Sequence, residues 1–325
     1  MDVKGIQITK TGGPSVMKWK TITVGKPKKG QVTVRHTAIG FNFIDINHRT
    51  GRYPLEMPTG IGSEAAGIIE TIGAGVKGLK VGQRVVYVGA VGTYAEAQNV
   101  SSDICVPIPR DISDELAAAT HLKGMTVEML VERVGKVKKG DVVMMHSASG
   151  GVGLLLCQWA KSRGATVIGT ASSAAKCKEI LKAGAKYALD TSNKDVVKEV
   201  AKITKGEGVD VIFDPVGKDT YEVSLGCLKD RGLLASFGGA SGPVPLVDLN
   251  EFRYMARAWN LTRASLFNWT TNRADLLHSS RRVFAMIRSG KVKVKINQRY
   301  ALKDAPKLHK DIESRKLIGI SMLVP

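Results

Sequence analysis

Residues 141–176 have the sequence DVVMMHSASGGVGLLLCQWAKSRGATVIGTASSAAK, and the architecture of the chain follows from this segment. The short apolar run 142–145 lies between glycine-containing and small-residue stretches, which predicts a strand buried on both faces. A glycine-rich turn and a helix from about residue 151 to 163 follow, and Gly164 ends the helix. Residues 165–169 predict a second strand. This order of strand, turn, helix and strand is typical of a dinucleotide-binding unit.

Small residues occupy the three positions at which such a turn needs them: Ala148, Gly150 and Gly153. Gly150 would let the backbone approach a pyrophosphate, and Gly153 would let the helix lie close to the strand. The first N–H groups of the helix would face the phosphates, where the helix dipole favours negative charge. The alternative is a glycine loop without function, but the flanking strands and helix favour binding. The predicted contacts are Ser149, Gly150, Gly151, Val152 and Gly153.

The end of the second strand indicates which dinucleotide binds. NAD enzymes of this type place an Asp or Glu there to bind the ribose 2′-hydroxyl. Here the first acid after the strand is Glu179. Ser172 and Ser173 instead offer hydroxyls at the start of the next helix, and Lys176 offers a positive charge suited to a 2′-phosphate. We therefore predict NADPH, with Thr170 also facing it. The alternative for Lys176 is an exposed helix lysine.

Composition limits the other possibilities. The chain has 325 residues, 43% hydrophobic and 24% charged, as expected of an ordinary globular protein with two domains. No apolar run is long enough to span a bilayer, and residues 1–10 lack the apolar core of a signal peptide. We expect no membrane association and a cytoplasmic location. The four cysteines, at positions 105, 157, 177 and 227, have no metal-site spacing, so free thiols are expected.

The net charge of +19 favours phosphate-bearing partners. It fits an RNA-binding role, although no basic motif interleaved with aromatic residues supports that role. A charge spread over a solvated surface is the alternative.

The segments on either side of residues 141–176 predict two different kinds of domain. Residues 1–120 contain β-branched runs separated by Gly and Pro turns, which predicts a β-rich, barrel-like domain, and a helix is expected over 124–134. After residue 176 strands and helices alternate, giving six strands and a doubly wound parallel sheet. Its last strand is expected at 259–265. The tail, with strands predicted at 292–296 and 318–323, is expected to return to the first domain.

Several short blocks occur in a characteristic order along nearly the whole chain. They are NFID (42–45), GSEAAG (62–67), GQRVV (82–86), KGMT (123–126), KGD (139–141), SGGVG (149–153), QWAK (158–161), DPVG (214–217), SFGG (236–239) and ESR (313–315). In these blocks the chain resembles the quinone oxidoreductase and zeta-crystallin branch of the medium-chain dehydrogenase/reductases.

The resemblance implies a fold and an activity. The fold is α/β: a GroES-like β-rich catalytic domain, residues 1–124 and 265–325, plus a Rossmann NADP-binding domain, residues 125–264. The implied activity is NADPH-dependent reduction of quinones or activated alkenes in the cleft between the domains. Zinc-dependent relatives carry a Gly-His-Glu block, but this chain has Ser63 in place of the histidine and lacks their cysteine lobe. We therefore predict no metal site.

The resemblance also implies site residues. The catalytic candidates are Asn42, Asp45 and Tyr53, of which Tyr53 is a proton donor or, alternatively, a wall residue. A family relative carries a tyrosine where this chain has Asn47. Further cofactor contacts are implied at Asn42, Thr126, Val216, Gly217, Phe237, Gly238, Arg263, Leu266 and Arg315.

Three functions remain open from the sequence: an NADPH:quinone reductase, an alkenal or enone reductase, and a zeta-crystallin-like RNA-binding protein that keeps the nucleotide fold. The strand expected at 259–265 would lie at a sheet edge that needs covering, and two-fold pairing of that edge predicts a homodimer.

Overall fold

The computed structural model describes residues 1–247 and 257–325. They group into two compact units. Unit 1 comprises Met1–Met125, Thr270–Phe284 and Val294–Pro325, and unit 2 comprises Thr126–Trp269 and Ala285–Lys293. The predicted nucleotide-binding segment 125–264 includes residues 248–256, which lie outside the described residues.

The regular elements of the described residues are as follows. The strands are β1 Asp2–Ile8, β2 Lys18–Thr23, β3 Gln31–Gly40, β4 Thr59–Gly60, β5 Glu64–Ile72, β6 Arg84–Val88, β7 Ala97–Ser101, β8 Val106–Pro107, β9 Val142–Met145, β10 Thr166–Ala171, β11 Tyr187–Asp190, β12 Val209–Asp214, β13 Leu228–Ser236, β14 Asn260–Arg263, β15 Ile296–Ala301 and β16 Ile320–Val324. The helices are α1 Phe43–Thr50, α2 Asp114–Glu128, α3 Gly151–Ser162, α4 Ala174–Lys182, α5 Val196–Thr204, α6 Tyr221–Cys227, α7 Arg273–Arg288 and α8 Ala305–Glu313.

Unit 1 is built around β3, which pairs antiparallel with β5, β7 and β16. The larger sheet has the order β15-β16-β3-β5-β6-β8, and a smaller sheet has the order β2-β1-β4. Apolar side chains of β1, β3, β5 and β6 form the core together with residues of α8. The tail strands therefore join the N-terminal sheet, which confirms the sequence prediction.

The strand predicted at residues 292–296 is wrong in its position, because β15 begins only at Ile296. The backbone groups just before it have other partners. The Val292 N–H donates to the Met286 carbonyl at the end of α7, 3.1 Å away. The Lys293 N–H donates to Gln158 Oε1 over 2.7 Å, and its carbonyl accepts from Gln158 Nε2 over 3.0 Å. The alternating apolar residues of 292–296 therefore do not pair with a neighbouring strand before Ile296.

Unit 2 contains a six-stranded sheet of order β11-β10-β9-β12-β13-β14, and each adjacent pair is parallel. Numbered from β9, this is the order 3-2-1-4-5-6 of a doubly wound dinucleotide-binding sheet, so the predicted fold class is confirmed. Val143, Met144 and Met145 of β9 are at most 1% exposed, because the strand is covered on both faces. The order reverses between β9 and β12.

The helix predicted over 124–134 is the continuation of an earlier one. α2 runs from Asp114 through Gly124 and is followed by a π-helical segment, Met129–Val134. Gly124 does not interrupt α2. A β-carbon there would lie 2.7 Å from a methyl group of Val283, so glycine permits close packing against α7. In residues 1–247 and 257–325, none of the helices combines the length and hydropathy needed to cross a bilayer.

Candidate active site

The turn between β9 and α3 presents an open helix N-terminus. Gly150 is the N-cap, in extended backbone with φ −78° and ψ 172°, and no side chain caps the helix. A β-carbon at Gly150 would meet only the Ser147 carbonyl oxygen, at 3.5 Å. The first N–H groups of a helix have no intrahelical acceptor, and the dipole favours an anion there. The predicted contacts Ser149–Gly153 therefore lie together at a position suited to phosphate.

Close packing holds this turn in place. A β-carbon at Gly153 would lie 2.5 Å from the Ala148 carbonyl oxygen, and one at Gly169 would lie 2.9 Å from the Ala148 β-carbon. Distances below 3 Å are not tolerated in a packed interior without movement. Glycine at both positions therefore lets α3 pack directly on the turn and on β10.

Ser172, Ser173 and Lys176 are brought together at the start of α4. Ser173 is the N-cap, and its hydroxyl accepts from the Lys176 N–H over 3.4 Å. The Lys176 ammonium donates to Ser172 Oγ over 3.1 Å. The group thus combines hydroxyls, a cation and a helix N-terminus, and the strand before it ends without a carboxylate. This chemistry suits a phosphate monoester.

Thr170 has a structural role that the sequence did not indicate. Its hydroxyl is hydrogen-bonded to His146 Nδ1 at 3.1 Å, and His146 Nε2 lies 3.0 Å from Ser224 Oγ. The Thr170 carbonyl accepts from the Ala148 N–H over 2.9 Å. Burial lowers the pKa of His146, against the charge of Asp214. The Thr170 hydroxyl is therefore committed to a buried network that joins β9, β10 and α6.

Asp214 organises the next part of the site at the end of β12. Its Oδ1 accepts from the N–H groups of Val216, at 2.7 Å, and Gly217, at 3.2 Å, and its Oδ2 accepts from Thr220 Oγ1 at 2.7 Å. Gly217 has a φ of 91°, and a β-carbon there would lie 2.5 Å from the Gly242 carbonyl oxygen. Phe237 follows β13, and its N–H donates to the Asp214 carbonyl over 2.9 Å.

The remaining predicted contacts fall in both units. Arg263 ends β14 beside Ser236 of β13, so it shares the carboxyl edge of the sheet with Gly238, which also follows β13. Parallel α/β sheets bind ligands at this edge. The other positions are buried Leu266 and buried Thr126 in unit 2, and exposed Arg315 and buried Asn42 in unit 1.

In unit 1, the predicted residue Asp45 is fully buried. Its Oδ1 accepts from the Ser63 hydroxyl, and its Oδ2 accepts from the Asn42 N–H at 2.9 Å and from the Tyr94 hydroxyl at 3.1 Å. Burial raises the pKa of Asp45 to about 6, although these hydrogen bonds and the charge of Lys123 oppose the shift. Asp45 therefore has no surface for direct substrate contact.

Behind Tyr94 the hydrogen-bonded group extends to His309. Tyr94 Oη lies 3.2 Å from His309 Nε2. Burial and the charge of Arg49 lower the pKa of His309 to about 3. Tyr53 is 38% exposed, and its ring lies 6.2 Å from the His48 ring. Of the three catalytic candidates, Tyr53 alone presents substantial surface.

The residues present do not fit a catalytic zinc ion. Ser63 gives its hydroxyl hydrogen to Asp45, and Glu64 pairs with the ammonium of Lys123. The cysteines are all buried free thiols. In the part of the chain that the structure describes, no three His, Cys, Asp or Glu residues are grouped to hold a metal. A tetrahedral zinc site needs at least three such ligands.

Sequence reasoning did not assign roles to Ser63, Glu64, Tyr94, Lys123 and His309. A charged residue inside an apolar segment was the available signal for two of them: Glu64 precedes Ala65 in a strand, and Lys123 lies in a helix of small and apolar residues. Their mutual contacts span long sequence separations, so only the fold reveals them.

Two family models match the chain. The model described as alcohol dehydrogenase GroES-like domain matches residues 28–110, and the model described as zinc-binding dehydrogenase matches residues 151–278. With the 3-2-1-4-5-6 sheet and the β-rich unit, they define a medium-chain dehydrogenase/reductase.

The most informative relatives match over the full length. Quinone oxidoreductase of Salmonella typhimurium is 44% identical over 324 residues, covering 98% of this chain and 99% of that protein. The crystal structure of Escherichia coli quinone oxidoreductase complexed with NADPH superimposes with a TM-score of 0.96 at 42% identity, covering 99% of this chain and 100% of that one. A mycobacterial protein complexed with NADPH gives 0.95 at 40% identity, covering 99% and 100%. The chain belongs to the quinone oxidoreductase family.

Proposed function

We propose that this chain is an NADPH-dependent quinone oxidoreductase. The observation that carries the proposal is the whole-chain match to a quinone oxidoreductase solved with NADPH, at 42% identity and a TM-score of 0.96. The relatives named above are quinone oxidoreductases or bind NADPH, so the alkenal/enone reductase and RNA-binding alternatives are not favoured.

The residues of unit 2 fit the cofactor. The open N-terminus of α3, with the amides of Gly150–Gly153, suits the pyrophosphate. Ser172, Ser173 and Lys176 suit the 2′-phosphate that distinguishes NADPH from NADH. The loops carrying Val216 and Phe237 lie at the carboxyl edge of the same sheet. When bound, NADPH supplies a hydride equivalent.

The site residues of unit 1 contact the quinone, which accepts the hydride. A quinone has conjugated carbonyls that accept a hydride, and polar side chains stabilise the oxyanion that develops. Asn42 has an amide held in one orientation by its neighbours, and exposed Tyr53 carries a hydroxyl that can donate a hydrogen bond. We assign Asn42 and Tyr53 to substrate and nicotinamide contact, and Asp45 to holding Asn42. The functional division into 1–124 with 265–325, and 125–264, belongs to the same proposal.

A homodimer is part of the proposal. β14 is the last strand of the unit 2 sheet, so within the described part of the chain its outer edge has no strand partner. An unpaired edge is a template for pairing, and two-fold pairing with a second copy would extend the sheet across both chains. A cytoplasmic location stays a prediction of the sequence.

The test is NADPH consumption with a panel of ortho- and para-quinones, 2-alkenals and cyclic enones. We expect consumption with quinones at kcat/KM values at least about tenfold above those of any alkenal or enone. Turnover of alkenals or enones without turnover of quinones would replace the proposed substrate class, and no NADPH consumption with any acceptor would contradict the enzymatic role.

A further inference from the structure

Lys123 places a positive charge inside unit 1. The residue lies in α2 and is 6% exposed. Its Nζ donates to the Phe41 carbonyl at 2.8 Å and to Asn42 Oδ1 at 3.0 Å, and it lies 3.7 Å from Glu64 Oε2. Two hydrogen-bond acceptors and a carboxylate at ion-pair distance match an ammonium.

Glu64 is the counter-ion, and its surroundings match an ionised carboxylate. It is fully buried in β5. Its Oε1 accepts from the Leu122 N–H at 2.6 Å, and its Oε2 accepts from Asn42 Nδ2 at 2.8 Å. Every partner of the carboxylate is a donor. Burial raises the pKa of Glu64 and lowers that of Lys123, while their mutual attraction opposes both shifts.

The ion pair determines how the Asn42 amide is oriented. The carbonyl oxygen faces the ammonium of Lys123, and the NH₂ group faces the carboxylate of Glu64. A flipped amide would place the NH₂ group against the ammonium and the oxygen against the carboxylate, which is unfavourable on both sides. The charges on its two sides therefore select one of the two amide orientations.

The backbone on either side of this amide is held as well. The ammonium binds the carbonyl of Phe41, and the Asn42 N–H donates to Asp45 Oδ2 over 2.9 Å. A buried ion pair is weak evidence for stability, because desolvation offsets the attraction. Its presence beside Asn42 therefore calls for an explanation other than stability.

We propose that the buried Lys123–Glu64 ion pair is a positioning device that fixes the amide of Asn42 for the reaction. Lys123 and Glu64 are positioning residues: they act through Asn42. The inference rests on the proposed function, which assigns Asn42 to nicotinamide and substrate contact.

A double-mutant cycle tests the proposal. Lys123→Met alone leaves Glu64 buried without a counter-ion and risks misfolding, so the variant to use is Lys123→Met/Glu64→Gln, which removes both charges. We expect kcat/KM for NADPH-dependent quinone reduction to fall about 10- to 100-fold, with a comparable loss in Asn42→Ala. In the Asn42→Ala background, the double substitution should lower kcat/KM by less than about twofold, because coupled residues are non-additive.

A control removes a partly exposed ion pair from the same unit. Arg35 on β3 pairs with Glu70 on β5 at 2.8 Å, and neither contacts Asn42. Arg35→Met/Glu70→Gln should leave kcat/KM unchanged. The positioning role would be overturned if Lys123→Met/Glu64→Gln lowered kcat/KM by the same factor with and without Asn42→Ala. It would also be overturned if Lys123→Met/Glu64→Gln left kcat/KM unchanged.

A second readout does not depend on turnover. In asparagine-labelled protein, the side-chain NH₂ resonance that disappears in Asn42→Ala reports on this amide. We expect slow hydrogen exchange in the unsubstituted protein and in the Arg35/Glu70 control, and faster exchange in Lys123→Met/Glu64→Gln. Unchanged exchange refutes the positioning device. A protein with no quinone turnover refutes the proposed function instead. The exchange measurement still decides whether the ion pair holds the Asn42 amide.

Discussion

The hydroxyl of Tyr94 donates a hydrogen bond to Oδ2 of Asp45 over 3.1 Å, and both side chains are fully buried. Asp45 accepts two further hydrogen bonds, from Ser63 and from the Asn42 backbone. The Asp45 carboxyl group therefore joins Tyr94, Ser63 and the Asn42 backbone in one buried hydrogen-bonded group.

Asp45 should make stability depend on pH. Its pKa is raised from 3.8 to about 6 by burial, so the folded protein binds the proton more tightly than the unfolded chain. Stability from this group is therefore present below about pH 4 and is lost as pH rises through 6. The loss is on the order of 3 kcal/mol. The difference in free energy of unfolding, Asp45→Asn minus the unsubstituted protein, should therefore become more positive from pH 4.5 to pH 8. Urea unfolding at the two pH values measures it. An equal difference at both pH values would contradict the assignment.

Lys176 should determine cofactor preference. A charge-assisted contact is worth about 1.5–3 kcal/mol, so Lys176→Ala should lower kcat/KM for NADPH about 10- to 100-fold and leave NADH nearly unchanged. Lys178, exposed on the same helix, supplies the control Lys178→Ala, which should affect neither cofactor. Equal losses for both cofactors, or a protein that prefers NADH, would refute a 2′-phosphate site at Ser172, Ser173 and Lys176.

Gly153→Ala should damage both stability and cofactor binding. Its β-carbon would lie 2.5 Å from the Ala148 carbonyl oxygen, so the start of α3 must move. Overpacking of this kind costs about 1–3 kcal/mol, and the displaced helix N-terminus should bind NADPH more weakly. Calorimetry and NADPH titration measure the two effects. Gly25→Ala is the control, because its β-carbon meets no atom within 4 Å; comparable effects of both substitutions would exclude the packing explanation.

Active protein should contain no functional zinc, because Glu64 and Ser63 are engaged by Lys123 and Asp45. Elemental analysis of active preparations should find zinc well below one ion per chain, and chelation should leave activity intact. Stoichiometric zinc that is removed together with activity would show that a metal site exists.

Edge pairing at β14 predicts a dimer at micromolar concentration. The Ala264 N–H donates to Ser236 of β13, and N–H groups alternate in direction along a strand, so the Leu261 N–H faces the outer edge. Leu261→Pro would remove that donor and should shift sedimentation toward the monomer. A monomer in the unsubstituted protein would exclude edge pairing, and a dimer unaffected by the substitution would place the interface elsewhere.

The sequence predicted the unit 2 sheet because short apolar runs, such as Val142–Met145 of β9, alternate with helical segments, and right-handed crossovers leave few topologies. It placed β15 too early, at residues 292–296. The backbone groups of Lys293 bind the side chain of Gln158 instead, which is a contact between distant segments. It named Asn42 and Asp45 through resemblance alone. Lys123 and Glu64 were not recognised, because their role depends on a pairing across 59 positions of sequence that local pattern does not encode.

A single-turnover experiment tests hydride transfer from bound NADPH to a quinone. The protein is loaded with one equivalent of NADPH, mixed rapidly with excess para-quinone, and followed by the loss of nicotinamide absorbance. We expect oxidation of one NADPH for each active chain, at a rate that falls when the transferred hydrogen at nicotinamide C4 is deuterium. NADPH that binds tightly but stays reduced in the presence of quinone would contradict quinone reductase activity.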